Sequence, residues 1–313
     1  MRARPGAAMA IACCLSVPAC ARRTAPTDHR TFATPEAAVS TLVQTVKSGT
    51  VEQLIAIFGP DSRDLIDSAD PGAGRQNREV FTAAAAEGWQ LVDAGPNART
   101  LVVGNEEWPF PIPLVSGPDG WRFDTAAGKE EVLVRRIGRN ELAVMRICQT
   151  YVAAQRRYAE DGHDGKRPGL YAKAFRSEAG KQNGLYWPSA RRQKLSPLGD
   201  LVAQAAQEGR SLATGAEQPP APFHGYYFKI LMAQGADTTG GARTYLVNDE
   251  LNGGFALVAW PAEYNASGIM TFIVNHDGIL HEKDLGDSTD REARAMTLYN
   301  PDASWREAST TIR

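Results

Sequence analysis

The chain predicts an α+β protein in two parts: N-terminal helices with an antiparallel meander, then a long linking helix, then a C-terminal antiparallel sheet with a helix. Three observations carry this. Capped segments with apolar residues at helical spacing come first. Short apolar or alternating runs, punctuated by Gly, Pro, Asn and Asp, follow Trp89 and again follow Tyr226. Between these two groups, Asn140 to Glu160 keeps one apolar face at helical spacing. Helices and strands that come in separate blocks give α+β, not an alternating βα fold.

The elements follow in order. Thr34 can cap free amides and Pro35 suits a first helical position, so a helix starts there. Val39, Leu42, Val43 and Val46 form its apolar face, and Gly49 ends it. Thr50 with Gln53 makes a capping box for a second helix through Phe58, stopped by Gly59-Pro60. A third helix is expected near Arg75 to Glu87. Strands are expected at Trp89 to Val92, Thr100 to Val103, Glu107 to Val115 and Trp121 to Asp124. Pro109, Pro111 and Pro113 each lack an amide donor, so the third run must be an edge or irregular. The order of elements resembles the nuclear-transport-factor-two-like fold, an analogy that leaves function open.

Gly128 to Ile137 and Asn140 to Glu160 both read as helix, with Gly138 as a break. In the second, Val144, Cys148 and Val152 should face a core. Pro197 to Glu208 reads as helix and Ala213 to Pro222 as loop. Strands are then expected at Tyr226 to Met232, Arg243 to Val247, Phe255 to Trp260, Ile269 to Asn275 and Ile279 to Lys283. Asp277-Gly278 signals a two-residue hairpin between the last two.

The first twenty residues read as a leader. Two arginines precede an apolar run too short to span a bilayer, which needs roughly 20 apolar residues. Val17-Pro18-Ala19-Cys20 resembles a bacterial lipobox, which implies lipidation of Cys20. Ordinary cleavage and an uncleaved anchor are the competing readings. Ala21 is not the aspartate that favours inner-membrane retention, so an outer-membrane or periplasmic address is expected where the host has an outer membrane. Cys13 and Cys14 would leave with such a leader, and Cys148 would then have no disulfide partner. The resulting division is 1–20 leader, 21–31 tether, 32–138 N-terminal α+β domain, 139–286 linking helix and C-terminal domain, and 287–313 tail.

A formal net charge of −2 speaks against general nucleic-acid binding. The basic clusters Arg135-Arg136, Arg156-Arg157 and Arg191-Arg192 read as solvated faces.

A family resemblance emerges from several segments. They include Asp119-Gly120-Trp121-Arg122-Phe123-Asp124, Arg135 to Leu142, Pro222-Phe223-His224-Gly225-Tyr226-Tyr227-Phe228-Lys229, Gly254 to Tyr264, Gly268 to Asn275 and Glu282 to Gly286. Together they resemble a bacterial exported family known as domain of unknown function 2950, from about Phe32 to Gly286. The resemblance carries over no catalytic residue. A further likeness of the second half is to pilin-like heads, although a pilin begins with its apolar helix and here a whole domain precedes it.

Few residues offer chemistry. On a two-residue hairpin His276 would face Ile279 and share a sheet face with His281, a weak zinc pair. Asp161-Gly162-His163-Asp164-Gly165 departs from the EF-hand pattern, so a helix-ending turn is favoured over calcium. His224 has no nucleophile motif beside it. Tyr226, Tyr227, Glu263, Tyr264 and His224 are the candidate binding surface. No cofactor and no closed metal motif are expected. The expected function is an exported envelope lipoprotein, a non-catalytic binding or scaffolding module with an envelope protein partner. The alternative is a hydrolase or metal-dependent enzyme using His224, His276 and His281.

Overall fold

The computed structural model describes residues 30–66, 71–188, 195–202 and 222–308. Cys20, His29 and the cluster at Arg191 lie outside these residues, as does the helix expected from Pro197 beyond Val202.

Helix α1 (Pro35–Ser48) is capped by the Thr34 hydroxyl, which accepts from Ala37 N at 3.2 Å. Helix α2 (Val51–Phe58) starts with the Thr50/Gln53 capping box, and the Gln53 side chain accepts from Thr50 N at 2.8 Å. A short α3 (Arg63–Ile66) and α4 (Pro71–Glu87) follow. Strands β1 (Trp89–Gly95), β2 (Ala98–Val103), β3 (Trp108–Pro109), β4 (Leu114–Gly117) and β5 (Gly120–Phe123) form one antiparallel sheet. Its main path is β1-β2-β4-β5, with β3 paired to β2 beside β4. The single run expected at Glu107 to Val115 is thus split, as its three prolines require. Val39, Leu42, Ile57, Leu101, Leu114 and Phe123 close the core between helices and sheet.

Helix α5 runs unbroken from Thr125 to Glu160. The break expected at Gly138 does not occur. A helical glycine costs only about 1 kcal/mol relative to alanine, which the packing of the rest of the helix outweighs. Gly138 has no neighbouring atom within 4 Å of where a Cβ would stand, so nothing there forces a turn. Val144, Cys148 and Val152 face inward and are buried.

The C-terminal strands are β6 (Tyr226–Leu231), β7 (Ala233–Gln234), β8 (Arg243–Thr244), β9 (Leu246–Val247), β10 (Glu250–Leu251), β11 (Ala256–Pro261), β12 (Met270–Asn275), β13 (Leu280–Asp284) and β14 (Arg306–Glu307). The main sheet is antiparallel, in the order β14-β13-β12-β11-β6. Every residue of β11 is buried, because α5 covers one face and α6 (Thr289–Ala295) packs on the other. The strand expected at Arg243 to Val247 is divided at Tyr245, whose ring turns into the core and whose hydroxyl donates to Gln234 Oε1 at 2.9 Å.

Residues 287–308, read from sequence as a tail, are built into this sheet. Ala293 and Tyr299 are core residues, and β14 pairs with β13. Trp260 Nε1 donates to Asp290 at 3.0 Å, and Arg294 grips the same carboxylate while lying over Tyr227 and Trp260. The apolar content of this stretch is too sparse for periodicity to reveal it.

Candidate functional site

The four described histidines each pack against a different aromatic neighbour. His224 and Gly225 are the two central residues of a tight turn, with φ of 47° and 73°. Phe223 and Tyr226 exchange backbone hydrogen bonds of 2.8 and 3.0 Å across it, as in a mirror-image hairpin turn. His163, in the turn that follows α5, is buried. Its ring stacks on Tyr158 at 4.1 Å and its Nε2 lies 3.0 Å from Tyr158 O.

His276 and His281 do not share a face. The ladder pairs Val274 with Leu280 and Ile273 with His281, one residue away from the register of a two-residue turn. Gly278, at φ 87°, donates to Asn275 O at 3.0 Å, which makes a longer loop with an added left-handed residue. A one-residue shift sends alternate side chains to the opposite face. His276 therefore meets Tyr245, Phe255 and Arg243, while His281 Nδ1 lies 3.1 Å from the Tyr299 hydroxyl. Among the described residues no group of three His, Cys, Asp or Glu side chains is placed to hold a metal.

Cys148 is fully buried, and loss of solvation pushes its thiol up to about 12, so it stays protonated at neutral pH. In the 161–165 turn, both Asp164 carboxylate oxygens accept from Gln182 N, at 3.1 and 2.9 Å.

The five candidate surface residues do not form one surface. Tyr226 is fully buried, and its neighbour Tyr227 points to the other sheet face, against Trp260 and Arg294. Glu263 is exposed, and Tyr264 donates to Asp284 at 3.3 Å. The segments around them converge instead on a joint between α5 and the sheet. Glu141 Oε1 accepts from Ile269 N at 2.9 Å and Met270 N at 3.0 Å, at the start of β12. Asn140 Nδ2 donates to Ser267 O at 2.8 Å. The Tyr226 hydroxyl donates to Met270 O at 3.0 Å and lies 3.5 Å from Glu141 Oε1. Burial, then the Glu141 charge, drive that phenol far above its ordinary range. A carboxylate that accepts two backbone amides fixes the position of a helix on a strand.

A cleft of about 330 Å³ lies at the other end of α5. Three backbone and side-chain ties fix its walls. Gly169 N donates to Ala159 O at 2.8 Å, Tyr171 N to Leu251 O at 2.7 Å, and Lys173 Nζ to Asp249 O at 2.8 Å. Leu170 and Leu251 are buried at its floor, and Lys166, Arg167 and Glu250 line it as well. Lys166 and Glu250 stand 3.5 Å apart. Residues Asn248 and Asp249, at φ 51° and 61°, form the tight turn that presents Glu250. Sequence reasoning missed this cleft. Its signal was a charged segment beside Gly162, Gly165 and Gly169, which reads equally well as a solvated loop.

No curated protein and no solved structure matches this chain. The segments Arg135 to Leu142, Pro222 to Leu231 and Gly268 to Asn275, which carry the family resemblance, meet at the Glu141 joint. Residues 29–308 match one family model across nearly the whole chain, and the protein belongs to that family, described as protein of unknown function (DUF2950).

Proposed function

We propose that this protein is an exported cell-envelope lipoprotein, anchored by a lipid on Cys20, whose folded part binds or scaffolds an envelope partner without catalysis. The observation that carries the reading is that its potentially reactive side chains are engaged in packing. His163, His224, His276 and His281 each contact the scaffold in a different place, and the Cys148 thiol is buried. Catalysis by such groups requires a nucleophile, base or metal ligand set in mutual reach. The enzyme alternative on His224, His276 and His281 finds no support in this arrangement.

The anchor reading rests on the leader sequence. It fits the way the folded part begins. Phe32 and Trp121 exchange backbone hydrogen bonds of 2.8 Å each, which ties the start of the first domain to the edge of its sheet. In this proposal residues 21–31 serve as the tether, and a chain of that length can span at most roughly 36–40 Å. Among the described residues no helix is long and apolar enough to cross a membrane.

Cys20→Ser should move the protein from the membrane fraction to the soluble envelope fraction and remove a lipid mass from its N-terminal peptide. Unchanged fractionation, with no lipid mass on the wild-type peptide, would refute the anchor.

A further inference from the structure

We infer that the cleft at the C-terminal end of α5 binds a small zwitterion of the amino-acid or dipeptide class, a proposal that rests on the binding-module reading. The charge pattern selects this class. Three cationic side chains, Lys166, Arg167 and Lys173, line the cleft with four carboxylates, Asp161, Asp164, Glu178 and Glu250. A phosphate or polyanion would meet the carboxylates, and a simple cation would meet the ammonium and guanidinium groups. A wholly apolar ligand would strip water from both signs without replacing it. A molecule with one carboxylate and one ammonium around a short apolar body satisfies the cleft.

The charges are not equally available. Lys173 is held by Asp249 at 3.0 Å, Asp164 by the Gln182 amide, and Glu178 by Lys181 at 2.6 Å and Asn183 at 2.7 Å. Arg167 has no ion-pair partner among the described residues, and a guanidinium grips a carboxylate with two parallel donors. Glu250 meets Lys166 at 3.5 Å, a loose pair that leaves its carboxylate free to accept more. Arg167 thus takes the ligand carboxylate and Glu250 the ligand ammonium. The buried side chains of Leu170 and Leu251 face the body between them. The volume of about 330 Å³ is at the small end of ligand pockets, which suits a dipeptide and excludes a long polymer.

Isothermal titration with alanyl-alanine tests this on the full chain, beside its N-acetyl and C-amide derivatives. The free dipeptide should bind, and capping either end should weaken binding about tenfold or more. Arg167→Ala and Glu250→Gln should each weaken it similarly, with melting curves unchanged. Arg167 is exposed and Glu250 is half-buried at the rim, where glutamine keeps its shape, so the folds should survive. Absence of binding at millimolar peptide, or equal binding by both variants, would overturn the proposal. NMR of the bound peptide separates the two readings. An intact peptide supports both, whereas release of alanine would keep the site and defeat the non-catalytic function.

Discussion

Val144→Asp should abolish cooperative unfolding of the C-terminal core. Val144 is fully buried on α5, in the cluster that contains Cys148, Tyr151 and Phe272. The substitution loses roughly 1.5–3 kcal/mol of apolar burial. It also forces a carboxyl group in among buried apolar side chains. Keeping that group neutral at pH 7 against its ordinary value costs about 4 kcal/mol, at about 1.4 kcal/mol per pH unit. The sum is comparable to the whole stability of a domain, about 5–15 kcal/mol. Val144 is a sharper choice than Val152, because Arg156 lies one turn beyond Val152 and could pair with the new charge. Circular dichroism melts would report the effect. A sharp transition near the wild-type temperature would mean that this face of α5 is not packed.

Gly268→Ala should lower the melting temperature by roughly 5–10 °C, from about 2–3 kcal/mol of overpacking. A Cβ at Gly268 would overlap the ring and hydroxyl of Tyr226. That ring cannot retreat, because it is fully buried, stands beside Phe272, and is tied by its hydroxyl to Met270 O. Gly138→Ala is the matched control. Its Cβ meets nothing within 4 Å, so the change should leave stability equal or raise it by about 1 kcal/mol through helix propensity. Equal melting of wild type and Gly268→Ala would show that the joint at Glu141 is loose.

Both predictions depend on tertiary contacts, and this marks what the sequence could reveal. The helix starts at Thr34 and Thr50 were legible, because a capping residue and its partner lie within three positions of each other. The prolines at 109, 111 and 113 told correctly that their run could not be a regular strand. Local signals failed where long-range packing decides. Gly138 reads as a break only if the helix is considered alone. The Asp277-Gly278 pair signals a hairpin, but not whether its loop carries an extra residue, and that single residue separates His276 from His281. Glu141 looks like any helix glutamate until β12 is brought to it across more than a hundred residues of chain. The cleft was equally hidden, since Arg167 and Glu250 belong to segments that only folding places together.

The proposed function makes the folded part a binding module without catalysis. It is tested most directly by following metal content and hydrolase turnover of the purified full chain, beside a His276→Ala/His281→Ala double variant. A binding module should carry no stoichiometric metal after gel filtration, and neither protein should show turnover. Zinc that survives gel filtration, together with an activity that the double variant loses along with the metal, would contradict it.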